Sequence, residues 1–183
     1  MLKAKKGRLL ISEPSLNDNV FFKSVVLLTH HNDEESIGLI LNHPTKINLN
    51  EILNDIPLSD LPIYIGGPVE KQSLHFIHTL GSIIPNSKQI IDGIYFGGDF
   101  ETVIQLMHDK KITKNEIRFF VGYSGWEAEQ LNNEIRDDAW IVQTAKNELC
   151  MNYSTPKLWS DIIKTKKMEH AIWANMPRDP SLN

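Results

Sequence analysis

Gly122-Tyr123-Ser124-Gly125-Trp126 is the stretch of this chain whose pattern comes nearest to a reaction centre. A strand running into a serine and then a helix is the setting of a hydrolase nucleophile elbow. Asp137, Asp138 or Asp161, and then His170, come later in the chain order Ser, Asp, His. The elbow also needs a glycine two places after the serine, where helix and strand approach closely. Trp126 stands there and cannot replace it. Ser124 is therefore read as the N-cap of a helix running to Asn133, one that satisfies a free backbone N–H rather than attacking a substrate.

His31, His75 and His78 raise the question of a metal. Zinc takes three or four nitrogen or sulfur ligands converging on one point. His75 and His78 are three residues apart on an expected strand, so their side chains point to opposite faces. Cys150 has no CxxC partner. These histidines are read as hydrogen-bonding to loop backbone, and no metal and no cofactor is expected. Gly66-Gly67-Pro68 could offer backbone N–H groups to an anion. Pro68 removes one of them, and there is no P-loop lysine after it. A sharp turn is the better reading. Gly97-Gly98-Asp99 is similar, and an aspartate at a helix start repels phosphate. Lys157, Lys164, Lys166 and Lys167 give the C-terminal region a basic side without helix-turn-helix spacing.

The elements that must position these residues read as one domain, 1 to 183, with a tail over 176 to 183. A chain of 183 residues, 41% apolar and 23% charged, has the composition of an ordinary globular domain. By area scaling about 70% of its unfolded surface is buried on folding, enough for a core without staples. A formal charge of −4 disfavours adhesion to nucleic acid or anionic lipid. One cysteine permits no internal disulfide and suits a reducing compartment. The basic start, MLKAKKGRLLIS, leads into only three consecutive apolar residues, too few for a signal peptide or a membrane span. A cytoplasmic protein is expected.

Apolar runs place strands at Arg8 to Ile11, Ile63 to Ile65, Leu74 to Thr79, Ile94 to Phe96, Ile117 to Tyr123 and Trp140 to Gln143. Val25 to His30 and Ile37 to Asn42 form an expected antiparallel hairpin, because the intervening loop is short. Helices are expected from Asn48 to Asn54, from an Asp99 cap to Asp109, after Thr155-Pro156, and over Met168 to Trp173. Strands come first and helices later, without early βαβ alternation. The expected fold class is α+β, with a mixed, mainly antiparallel sheet curled into a partial barrel.

Several of these residues fall into blocks. Pro14, Leu16, Asp18, Phe21, Ser24, Val25 and Val26 make P-x-L-x-D-x-x-F-x-x-S-V-V. His31, Asn32, Gly38, Ile40, Asn42 and Pro44 make H-N-x5-G-x-I-x-N-x-P. Gly66 to Pro68 and the pair His78-Thr79 come next, then Gly122, Tyr123, Ser124, Trp126, Gln130, Leu131, Glu134, Ile135 and Trp140. With Met176-Pro177 as a tail match, these blocks span nearly the whole chain. They resemble the AlgH/YqgE family of small bacterial proteins. The resemblance implies a cytosolic α+β protein and no particular reaction, since the family has no established biochemical activity. One branch is described as a transcriptional regulator. In that pattern the Ser124 position also accepts alanine, which a nucleophile could not.

The first functional expectation is a non-enzymatic regulatory or interaction protein. Its surface would be built from Asp18, Ser24, His31, Asn42, Gly66, Gly67, His78, Tyr123 and Trp126, and it would act through a protein or small-molecule partner. Asn42, Gly66-Gly67 and the Tyr123–Trp126 turn are expected to converge near His31. The alternatives are a small-molecule enzyme or sensor using His31 or His78 as an acid/base in a cleft, and a DNA-binding regulator. Direct nucleic-acid binding and membrane association are not expected.

Overall fold

The computed structural model describes residues 2–13, 20–54, 56, 61–151 and 155–165. The run Arg8–Ser12 is strand β1. Val25–His31 (β2) and Glu35–Ile40 (β3) form the expected hairpin, paired antiparallel with Leu27 opposite Leu39. The turn between them is tied by Asn32, whose Oδ1 accepts from the N–H groups of Glu34 and Glu35. Pro44–Asn48 is β4 and Pro62–Ile65 is β5. Val69–His78 is β6, Lys88–Ile91 is β7 and Ile94–Phe96 is β8. Ile117–Glu127 is β9 and Trp140–Thr144 is β10.

The ten strands form one mixed sheet in the order β10-β1-β2-β3-β9-β6-β8-β7, with β4 and β5 branching from it. The hub is β9. On one edge it pairs first with β5, in parallel through Phe119 to Val121, and then with β3, antiparallel through Ser124 to Glu127. On the other edge it pairs antiparallel with β6. The sheet curls, so that Lys6 beside β1 donates to the carbonyl of Gln89 on β7.

The apolar runs are continuous rather than alternating because most of these strands are covered on both faces. Leu9, Ile11, Val25, Leu27 and Leu39 pack against Leu158, Trp159, Ile162 and Ile163. Those four belong to helix α4, Leu158–Lys164, which a 3-10 turn at Thr155–Lys157 leads into. Leu10, Val26, Leu28 and Ile40 face the other way, onto Leu131 and Ile135 of helix α2, Gln130–Arg136. Phe76, Ile117 and Phe119 pack on Val103 and Met107 of helix α1, Phe100–His108. Asp99 caps α1 as expected, accepting from the N–H of Thr102 at 2.9 Å. A short helix α3, Asn147–Met151, completes the described set.

Three expectations change. The helix placed at Ser124 does not begin there: the strand continues to Glu127, and Ser124 lies inside it opposite Gly38. The strand bends at Gly122, which has a left-handed φ of +68°, and pairing resumes on β3 instead of β5. The helix expected from Asn48 shrinks to a 3-10 turn, Leu49–Glu51, in which the Glu51 carboxylate accepts from the Asn48 N–H. β6 begins at Val69 rather than Leu74, and β4, β7 and α3 had no clear pattern in the sequence. The segment Met168 to Trp173 and the tail 176–183 lie outside the described residues.

Candidate functional site

The residues singled out from the sequence fall into separate places along the β2–β3 hairpin and beyond it. At one end, Ser24 and Asn42 knot the entry to β2. Asn42 Oδ1 accepts from the Val25 N–H at 2.8 Å, and its Nδ2 donates to the Lys23 carbonyl at 2.7 Å. The Ser24 N–H donates to Ser12 Oγ at 2.8 Å. Ser24 Oγ lies 3.2 Å from His43 Nε2 and 3.3 Å from the Val20 carbonyl. Both Ser24 and Asn42 are buried. Their side chains are spent on backbone groups at the entry to β2. His43 had drawn no notice in the sequence, since no spacing rule ties it to Ser24. Asp18 lies outside the described residues.

His31 is at the other end of β2, six residues or roughly 20 Å along the strand from Val25. Its Nδ1 is 2.8 Å from the hydroxyl of Ser36, which pairs across β3 with Trp126 of β9. Asn42 and His31 therefore do not share a site. The structure brings together a smaller set: Ser36 beside His31, then Tyr123, Gly125 and Trp126.

Gly66 and Gly67 sit between the two ends, where β5 crosses β9. A Cβ on Gly66 would lie 2.2 Å from the Gly122 carbonyl oxygen, and one on Gly67 would lie 2.2 Å from the Tyr123 carbonyl. Only glycine permits this crossing. The Gly66 carbonyl is shared by the Ile40 N–H at 2.9 Å and the Ser124 hydroxyl at 3.0 Å. Ser124 is thus a buried cross-strand tie, neither a helix cap nor a nucleophile open to substrate.

His78 is elsewhere again, at the end of β6. Its Nε2 lies 2.8 Å from the Gly97 carbonyl and its Nδ1 accepts from the Leu80 N–H. These partners fix the neutral tautomer protonated at Nε2. Burial lowers its pKa, an effect opposed by the bond to Gly97. His75, on the same strand, contacts Phe96 and Tyr123 instead. Burial lowers its pKa too, against the pull of Glu70. Pinned in this way, His78 has no free ring nitrogen to use as an acid or base.

An open groove of about 500 Å³ lies at the His31 end. Its floor is Ile37, Val69, Tyr123, Gly125 and Trp126, and Glu34, Glu35, Glu127 and Gln130 line it as well. No Lys or Arg is among its lining residues. Trp126 is held there from behind: it is 4% exposed, and its indole donates to Glu134 at 2.9 Å. The glutamates had gone unremarked because they belong to three different elements. Arg118 is a further residue the sequence did not flag. It is fully buried within the apolar run of β9, donates to the carbonyls of Cys150 and Leu41 at 2.6 Å each, and lies 4.3 Å from the Tyr64 ring centre. Burial pushes the Cys150 thiol up to about 12 against the opposing pull of the Arg118 charge, so that sulfur is an inert core atom.

Residues 9–171 match a family model described as AlgH-like. A UPF0301 protein of Bacteroides fragilis is 39% identical over 97% of this chain and 91% of its own length. A UPF0301 protein of Chlorobaculum parvum is 37% identical over 100% of this chain and 97% of its own. Among solved structures, a Corynebacterium diphtheriae protein superposes with a TM-score of 0.76 at 21% identity, covering 96% of this chain and 94% of that one. The solution structure of the AlgH protein from Pseudomonas aeruginosa gives 0.74 at 23% identity, covering 97% and 98%. At these identities the two structures speak for the fold alone.

Proposed function

The chain belongs to the AlgH-like family, and we propose that it is a non-enzymatic interaction protein of the cytoplasm whose binding site is the groove beside His31. One observation carries this reading. Asn42, His78 and Ser124 are occupied in holding backbone together, whereas Tyr123, Gly125 and Trp126 line an open groove with carboxylates around it. A buried hydroxyl bonded to a carbonyl is placed to stabilise a fold. An open cleft lined by apolar residues and a few polar groups is placed to receive a ligand. The same reasoning supports regulation through a partner rather than through DNA.

The test is a photo-crosslinking amino acid placed at Gly125 in living bacteria, with Glu101 on α1 as the control position. The expected result is one discrete adduct from position 125 and none from 101, competed away by excess wild-type protein but not by Gly125→Phe. Adducts of equal pattern from both positions would overturn the reading. So would turnover of a small ester or phosphate ester that Ser24→Ala or His43→Ala abolishes, since Ser24 and His43 form the nearest approach to a catalytic pair.

A further inference from the structure

Three features of the groove specify what it would hold. The first is an uncovered strand edge. β9 is paired with β3 as far as Glu127, but with β6 only as far as Tyr123. β6 runs antiparallel to β9 and begins at Val69, opposite Tyr123, directly after Gly66-Gly67-Pro68, so it does not reach the residues of β9 beyond Tyr123. From Gly125 to Glu127, that edge of β9 has no strand beside it among the described residues. Among the described residues, the Glu127 N–H is met by the side chain of exposed Gln130, at 3.1 Å. An unpaired edge is a template for another strand.

The second feature is Gly125 itself. It is exposed, and a Cβ there would make ordinary contacts, 3.4 Å to Tyr123 Cε2 and 3.8 Å to Val69 Cγ2. The fold does not require glycine at this position, in contrast to Gly66 and Gly67. What glycine supplies here is bare backbone that a second backbone can approach closely.

The third feature is charge. Glu35 and Glu127 are direct cross-strand partners, and like charges placed opposite one another are destabilising. Glu34 adds a third carboxylate to the same groove. His30, 3.8 Å from Glu35, is the one cationic partner these three have in the described ion pairs, and it is charged only when protonated. A cation supplied from outside would relieve the repulsion.

The geometry points to an extended segment of a partner protein, rich in lysine or arginine, that adds as a strand along residues 125–127 of β9 with its cationic side chains on Glu34, Glu35 and Glu127. Alternate side chains of a strand share a face at about 6.6–6.8 Å spacing, so cations at every second position would reach this cluster while the main chain pairs with β9. This inference rests on the groove reading above and names its partner's chemistry.

The test uses the full chain and three labelled decapeptides. One alternates Lys with Thr, one alternates Glu with Thr, and the third is the Lys-Thr peptide with every backbone nitrogen methylated, which keeps charge and leaves no N–H to pair on either edge. The Lys-Thr peptide is expected to bind and to shift the backbone amide signals of residues 125–127. The Glu-Thr and methylated peptides should bind at least tenfold more weakly. Glu34→Lys/Glu127→Lys and, separately, Gly125→Phe should each weaken the Lys-Thr peptide at least tenfold while circular dichroism stays unchanged. Equal binding of the methylated peptide would overturn strand addition, leaving only attraction of cations. Absence of binding at millimolar peptide, or shifts confined to other strands, would overturn the inference altogether. The Gly125 crosslink would still report on the groove reading separately, because it does not depend on the partner's charge or backbone.

Discussion

Trp126 and Trp140 donate their indole N–H groups to the same carboxylate oxygen, Oε2 of Glu134, at 2.9 and 2.7 Å. Their rings meet at 80° with centroids 5.9 Å apart, and Phe21 packs against both. The other oxygen of Glu134 accepts from Gln130 at 2.9 Å. One acidic side chain on α2 thus anchors β9, β10 and its own helix. The block W-x3-Q-L-x2-E-I-x4-W, met first as a string of letters, is one physical object.

Glu134→Ala should therefore be among the more costly single changes at a half-buried position. It strips an acceptor from two indoles in a closely packed cluster, and hydrogen bonds to a charged group contribute about 1.5–3 kcal/mol each. Allowing for water reaching the site, a loss of about 2–3 kcal/mol is expected. Urea unfolding, monitored by tryptophan fluorescence, measures it, and a loss below about 0.5 kcal/mol would show that the shared bond contributes little.

Asn42→Ala should destabilise by about 2–4 kcal/mol, because it leaves the Val25 N–H and the Lys23 carbonyl without their partner. Ser124→Ala removes one buried donor from a carbonyl that keeps its bond to Ile40, so about 1 kcal/mol is expected. Equilibrium unfolding of the two variants side by side checks the order. The reverse order would mean that the β5–β9 crossing, not the hairpin knot, is the weaker point.

Two buried groups make stability depend on pH in opposite directions. Glu13 has its pKa raised from 4.5 to about 7 by burial, with Asp138 adding to the effect. A raised folded-state pKa means that the contribution is fully present below pH 4.5 and is lost as pH rises through about 7. Glu13→Gln should remove that decline, flattening the melting temperature between about pH 5 and 8. His78 has its pKa lowered, so its contribution is present above 6.5 and falls away as pH drops below that value. Nitrogen-15 NMR of the imidazole should show the neutral form, protonated at Nε2, as the major species at pH 6.5. An imidazolium spectrum at pH 6.5 would contradict the buried arrangement.

No sequence-specific DNA affinity is expected of the isolated chain. Lys and Arg number 19 against 23 acidic residues, and phosphate binding needs cations gathered on one face. Labelled promoter fragments titrated at two salt concentrations test this. Sub-micromolar binding that separates a promoter from its scrambled counterpart at physiological salt would refute the expectation. Weak binding that vanishes with added salt would agree with it.

The sequence by itself determined the features that depend on local chemistry and on short-range pattern. Runs such as Val25–Leu28 and Ile117–Val121 are apolar or nearly so because both of their faces are covered, and that much is written in composition. The Asp99 cap and the short hairpin loop are equally local. Family membership was legible because its motifs are spaced along nearly the whole chain. The tertiary structure alone decided the path of the chain after Gly122. Whether Ser124 opens a helix or continues a strand turns on Gly38 and Gly66, which lie 86 and 58 residues away. Local propensity carries no record of a partner that distant. The same holds for the sites. Ser24, Asn42 and His31 read as one cluster because each sits at a strand end, but a strand has two ends, and β2 holds them about 20 Å apart. The groove could not be read at all. It exists because β6 begins only at Val69, opposite Tyr123, while β3 pairs with β9 as far as Glu127, so that Glu34, Glu35 and Glu127 gather around a glycine the fold does not need.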